Sequence, residues 1–537
     1  MALTACPARG GPPARTPGDA TGIGVRGGTL RVLLSADVDA IDPQRAAAPA
    51  SFGLARAMHR GLMAFPASPG TDGSRPVPDL AEGPPEISPD GLRYTFRLRA
   101  GIAFGAPASR PMRAADVKAG LERIFTAHSP RAGYFRVIQG ADALAAGRAS
   151  ELSGVTAPDD RTVSITLARP ANDLMWLLAL PAASAVPPGL APTTRPGDIP
   201  PSGPYRLAAG GYVPERSIHL VRNEAWNAMA DPVRPAWVDA IEYEIGVAPA
   251  DIERRIAAGT ADLAGDAIPA DTATTDLPSD RIVREPQACL RYLFMNTRVA
   301  PFGSVQVRSA LASALDRDAV AATYGPAGAP AATILPPVDL GRDPTRAVPA
   351  ADPTAARKAL AADGLASGFA TRLVVGDTRL DRDQAEAVRS ALSRAGVRAT
   401  VSIVPIASLY EDYYETPGAA VPMGIATWCA DWPGLGGRGT LAPLVDGRTI
   451  GPAGNTNYSG VNDPALNRAM DAASAEPDPA RSSAAWLAAD RSALAWAAVV
   501  PLAYSAEISL LGPKVRGFVP HPFFVRGDLT EVWISPL

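Results

Sequence analysis

The residues able to do chemistry are few in this 537-residue chain, and their spacing excludes most reactions. Lys118, Lys358 and Lys514 follow Val117, Arg357 and Pro513, so there is no Gly-Lys-Ser/Thr phosphate loop. Three positions before them stand Ala115, Ala355 and Leu511, so the Ser-x-x-Lys of a serine acyltransferase is also missing. His59, His128, His219 and His521 form no His-x-x-x-His pair, and Cys6, Cys289 and Cys429 form no Cys-x-x-Cys, which argues against a local zinc or haem site. No metal and no cofactor is expected. Gly-x-Gly-x-x-Gly occurs at 22–27 and 434–439, but a dinucleotide site needs those glycines after a strand and before a helix. The first set precedes a strand, and the second runs into Thr440-Leu441-Ala442-Pro443. Asp37, Asp39 and Asp42 lack the glycine and distal glutamate of a calcium loop and read as a solvated turn capped at Asp42-Pro43. Tyr410-Glu411-Asp412-Tyr413-Tyr414 reads most simply as one side of an amphipathic helix, with a contribution to a cleft as the lesser alternative. With no Ser-His-Asp order and no paired acids, an enzyme is not expected.

Elements must then position what remains. Residues 29–34 and 92–98 alternate as strands, the second with Tyr94, Phe96 and Leu98 on one face, while Val307, Ala310, Leu311 and Ala314 share a helical face behind a capping Ser304. A strand at 373–375, a helix at 384–395 closed by Gly396 and a strand at 397–404 form a βαβ pattern, so at least one lobe is α/β with a parallel pair. The most apolar run, 174–180, is cut off by Pro181, Pro187 and Pro188 before it reaches the roughly 20 residues a membrane span needs, and is core.

A chain this long exceeds one hydrophobic core, which stops growing near roughly 250–300 residues, so several lobes are expected. Apolar residues at 47% and charged residues at 20% exclude a mainly disordered chain. The net charge of −3, from 51 basic and 54 acidic side chains, gives no field to hold nucleic acid. Residues 7–26, rich in Gly, Pro, Ala and Thr, read as a flexible leader whose span is about 25 Å. Before it, Leu3-Thr4-Ala5-Cys6 resembles a bacterial lipobox with Cys6 as the lipid anchor. Only Met1-Ala2 stand where a charged and apolar signal should be, so either the start lies upstream, the favoured reading, or the match at Cys6 is a coincidence of four residues.

A series of segments then adds up to a family. Asp79-Leu80-Ala81-Glu82, Glu86-Ile87-Ser88-Pro89-Asp90-Gly91-Leu92-Arg93-Tyr94-Thr95-Phe96, Ala114-Ala115-Asp116-Val117, Ser202-Gly203-Pro204-Tyr205, Leu220-Val221-Arg222-Asn223, Phe294-Met295-Asn296-Thr297, Val307-Arg308-Ser309-Ala310-Leu311 and Asn457-Tyr458-Ser459-Gly460 occur in order. Together they resemble the family 5 extracytoplasmic solute-binding proteins, the peptide, dipeptide and nickel-chelate receptors of ABC importers, over roughly residues 27–537. The resemblance implies an α/β, periplasmic-binding-protein-like (type II, cluster C) clamshell with three lobes. Lobe I would comprise 27–60, 188–288 and 505–537, lobe II would be inserted at 61–187, and lobe III would run over 289–504. Ligand would sit between lobes I and III. The implied partners are a peptide ligand and the membrane subunits and ATPase of an ABC permease, with no nucleic acid and a monomeric receptor outside the cytoplasm. A nickel chelate, an opine or an oligosaccharide stays open as the ligand.

Ala426-Thr427-Trp428-Cys429-Ala430-Asp431 is similar to the Gly-Trp-Cys-Ala-Asp segment of oligopeptide-binding members. There the aspartate pairs with the peptide α-amino group, the strand before it pairs with peptide backbone, and the tryptophan walls a side-chain pocket. This implies those roles for Asp431, for Ala426, Thr427 and Cys429, and for Trp428. A carboxylate facing an ammonium in a water-poor cleft gains far more than a surface pair; the plainer reading is that Asp431 caps the turn before Pro433. The resemblance further implies a disulfide between Cys289 and Cys429, hence an oxidising compartment, and Cα atoms within roughly 4.4–6.8 Å. Ser51 and Phe52 align with the lobe I cleft strand. Two departures stand out: His59-Arg60-Gly61-Leu62 replaces the family's Tyr/Phe-Glu-Gly-Leu, and Phe104-Gly105-Ala106-Pro107-Ala108 departs from a lobe II loop.

Overall fold

The computed structural model describes residues 24–266, 277–524 and 526–536; the lipobox-like segment, Cys6 and nearly all of the leader lie outside the described residues. The first sheet is built around Thr29–Leu33, which pairs in parallel with Ala240–Glu244 and Leu263–Ala264, and Ser217–Arg222 and Tyr205–Val213 extend it. Leu30, Val32 and Ile241 bury their side chains with Leu54, Ala57 and Met58 of the helix Pro49–Met58. Ser51 and Phe52 therefore lie on a helix and not on the expected cleft strand. Pro49 presets φ at the first helical position, and its missing N–H costs nothing there.

The second sheet has four strands in the order Glu86–Ile87, Arg93–Arg97, Thr162–Thr166 and Val155–Thr156. Tyr94, Phe96 and Leu98 bury one face in a core shared with Val117, Leu121 and Ile124 of the helix Ala114–Thr126. Residues 174–180 begin as the short helix Leu174–Leu177 in the same core. The third sheet has six strands, in the order Gly328–Pro330, Val499–Leu510, Ile282–Met295, Met423–Cys429, Phe369–Gly376 and Val397–Val404. Its last two pair in parallel around the helix Arg379–Arg394, capped by Thr378 and followed by Gly396 at φ +89°, as the sequence pattern requires. The helix Val305–Ala314 is capped by Ser304, whose Oγ accepts from Val307 N.

Two long antiparallel strands, Ile282–Met295 and Val499–Leu510, join the first lobe to the third. Ile508 and Leu510 pack with Leu33, Ile256 and Ala264, whereas Leu293, Met295, Val500 and Leu502 belong to the core of the third sheet. Their register is broken between Pro286 and Leu290 and again between Arg291 and Tyr292.

A second expectation is corrected. Asp42 is not in a solvated turn: it is 5% exposed and takes Arg123 Nη1 at 2.7 Å and Nη2 at 2.6 Å, because a bidentate guanidinium offsets the cost of burying both groups. Asp39 accepts from Ala47 N, Ala48 N and Ser51 Oγ at the start of the helix Pro49–Met58, and Asp37 from Tyr212 Oη. The tyrosine-rich stretch is helical and one-sided as expected: Ile406–Ser408 runs into the π-helical turn Leu409–Tyr414, which exposes Glu411 and Asp412 and buries Leu409 and Tyr414. Tyr414 is buried and donates to Val374 O, and its ring packs against Phe294, Tyr410 and Tyr458.

Candidate ligand cleft

The strand Met423–Cys429 is buried through Ala426 and emerges at Thr427, Trp428 and Cys429. One edge pairs residue for residue with Ile282–Met295, from Met295 opposite Met423 to Cys289 opposite Cys429. Ala430 N donates to Ala288 O at 2.8 Å. Strand alternation then turns the amides and carbonyls of Thr427 and Cys429 to the opposite edge. There Phe369–Gly376 reaches only Met423 and Gly424. Beyond Gly424 no strand among the described residues covers that edge, and Thr427 N meets Tyr410 Oη at 3.4 Å. Burial raises the Tyr410 hydroxyl above its ordinary pKa, so it stays protonated.

Cys289 and Cys429 are bonded, with Cα atoms 3.9 Å apart. That is closer than the expected range; the two face each other directly as the last pair of the strand register. Thr427 Oγ1 accepts from Arg291 Nη1 at 3.0 Å, and Arg291 is held from behind by Asp381 and by Gln384 Oε1 at 2.6 Å. Trp428 Nε1 donates to Gly439 O at 2.9 Å, which aims its ring along a cavity of about 810 Å³ walled also by Tyr134, Val137, Arg438 and Met470. The glycines at 434–439 serve packing: Gly434 has φ +88°, and a Cβ on Gly437 would overlap the Trp486 ring.

Asp431 ends this segment where three parts of the molecule meet. Its Oδ1 lies 3.1 Å from Arg131 Nη2, and its Oδ2 accepts from Tyr134 Oη. The Arg131 guanidinium lies over the Phe52 ring at 4.6 Å, and Phe52 stacks on Phe523 with centroids 5.1 Å apart. Burial first, and the charge of Asp431 next, push the Tyr134 hydroxyl well above its usual pKa, so it donates. Tyr134 is fixed by edge contact with Trp432 and by Arg438, which donates to Tyr134 O at 3.1 Å and pairs with Asp173 at 2.8 Å.

The structure thus brings Asp431, Trp428, Cys429, Thr427 and Phe52 around one region, with Ala426 buried beneath it. Ser51 is not part of it; its Oγ is committed to Asp39. Sequence reasoning missed Arg131, Tyr134 and Arg291. The first two belong to no motif, and Tyr134 stands 297 positions from its partner. Arg291 carries a readable signal only in hindsight: a charged residue in the otherwise apolar end of a strand.

A three-lobed α/β clamshell crossed by two long strands, with an open strand edge, is the architecture of a binding protein of the periplasmic type. The pattern of the bacterial extracellular solute-binding proteins, family 5, matches residues 75–435, and the chain belongs to that family. Its members bind solutes for ABC import and are not enzymes. Heme-binding protein A of Haemophilus influenzae is 28% identical over 83% of this chain and 82% of its own. The periplasmic oligopeptide-binding protein OppA of Escherichia coli is 27% identical over 53% and 52%. Among solved structures, the clavulanic acid biosynthesis oligopeptide binding protein 2 is 30% identical and superposes with a TM-score of 0.85 over 95% of this chain and 96% of its own. No helix among the described residues is long and apolar enough to cross a membrane.

Proposed function

We propose that this protein captures peptides by adding them as an extra strand to the open edge at Thr427 and Cys429, and delivers them to an ABC permease. The observation that carries the reading is that edge: ladder groups that pair with no strand among the described residues, at an exposed strand end bordered by a carboxylate and a cavity. Backbone pairing there recognises any extended peptide, whereas the cavity beside Trp428 accommodates a side chain. Asp431, two residues past the exposed end, is the group for the peptide ammonium. The two oligopeptide-binding relatives support the reading by name. Closure between lobe I (27–60, 188–288, 505–537) and lobe III (289–504) buries the ligand, and lipidation of Cys6 keeps the receptor at the membrane.

The test is a native mass spectrum of protein purified without denaturation, followed by calorimetry with mixed-sequence peptides. Retained masses that fragment as peptides, and saturable peptide binding, are expected. A retained sugar, opine or metal chelate with no peptide binding moves the assignment to the non-peptide ligands of this fold. The heme-binding name of the Haemophilus relative, which matches most of this chain, favours such a second reading.

A further inference from the structure

We infer that Arg131 sets which ligand N-termini this receptor distinguishes, because it already holds Asp431 as an internal counter-ion that an incoming ammonium must displace or share. The inference rests on the reading that peptides bind along the Thr427–Cys429 edge and deepens it.

Both oxygens of Asp431 are committed, one to Arg131 and one to Tyr134. The Arg131 side chain is only 11% exposed, against 25% for Asp431. It is seated and not free to swing: its guanidinium rests on the Phe52 face, Nη1 points to Ala46 O at 3.3 Å, and its backbone N donates to Ser129 Oγ at 3.3 Å. The next cation, Arg438, is already paired with Asp173. The carboxylate therefore presents no net negative charge to a ligand. A peptide ammonium arriving there gains a new ion pair only as the existing one weakens, so its gain over a neutral N-terminus is small. Without Arg131, the same carboxylate would face the ammonium unpaired, and the free amine would become decisive.

The test compares a peptide that binds with its N-acetylated form by calorimetry, on the wild type, Arg131→Gln and Arg131→Lys. The wild type should bind the two within about threefold of each other. Arg131→Gln, which keeps a hydrogen-bonding side chain but removes the cation, should prefer the free amine by at least tenfold, and Arg131→Lys should behave as the wild type does. A wild-type preference above tenfold overturns the inference without any variant. So does a preference in folded Arg131→Gln no greater than that of the wild type. Binding of neither peptide to any form overturns the peptide reading itself, a result distinct from undiminished discrimination.

Discussion

At the scale of single residues, the carboxyl groups outside the cleft predict how stability responds to pH. Asp339 is buried, and its Oδ1 accepts from Gly341 N at 2.8 Å. Burial, with a further contribution from Asp490, pushes its pKa up to about 7. Asp490, which accepts from Ile334 N and Leu335 N, is pushed up to about 6 by burial. In the unfolded chain such a carboxyl titrates near roughly 3.9, so the folded state favours the protonated form. Its contribution is fully present below about pH 4 and is lost as pH rises towards about 7. From this residue, the unfolding free energy should be about 2–3 kcal/mol lower at pH 8 than at pH 5. Asp339→Asn should remove that part of the pH dependence in urea unfolding; an unchanged difference between the two pH values would show that Asp339 is not ionising there.

At the scale of elements, the disulfide fastens the segment that ends in Asp431. Cys289 and Cys429 close a loop of 140 residues, and they do so at the last register pair before the strand Met423–Cys429 leaves the sheet. Chain-entropy arguments give a stabilisation of about 5 kcal/mol for a loop of this size, and losses on removing native disulfides run at about 2–5 kcal/mol. Cys289→Ser with Cys429→Ser should therefore lower the urea midpoint. It should also weaken ligand binding, because only the ladder and the hydrogen bond from Ala430 N to Ala288 O would then hold the strand end to its neighbour. A double variant with unchanged midpoint would mean that strand pairing alone holds this end.

At the scale of the whole molecule, burial of the ties between lobes predicts which parts move together. Between the proposed lobes II and I lie wholly buried networks, Arg123 with Asp42 and Gln44, and Arg60 and Arg234 with Asp79 and Asp231. Between the proposed lobes II and III lie Arg131 with Asp431, 11% and 25% exposed, Arg438 with Asp173, 16% and 3% exposed, and the Asn172 amide, which donates to Ala473 O. Breaking a buried pair leaves an uncompensated charge at about 3–5 kcal/mol, and exposed pairs contribute less. Lobes I and II should therefore move as one unit, with lobe III opening by bending of the two crossing strands at their broken register. Small-angle scattering should show a smaller radius of gyration when ligand is added. Arg123→Met should lower stability by about 3–5 kcal/mol in denaturant titration, clearly more than Arg438→Met.

Whatever depends on neighbours a few positions apart was legible from the residues alone. Alternation placed Tyr94, Phe96 and Leu98 on one face, Ser304 and Gly396 marked helix ends, and the βαβ pattern at 373–404 located a parallel pair, because pleat, caps and helical period are short-range. The ordered motifs carried the family and the clamshell in the same way. What the tertiary structure alone decided is the company each side chain keeps. Asp42 lost its solvent to Arg123, Phe52 came to the cleft region from a helix, the tyrosine stretch wound into a π turn, and Asp431 acquired Arg131. Each depends on groups brought from distant parts of the chain, and desolvation and ion pairing are settled by packing between lobes, which no local spacing encodes.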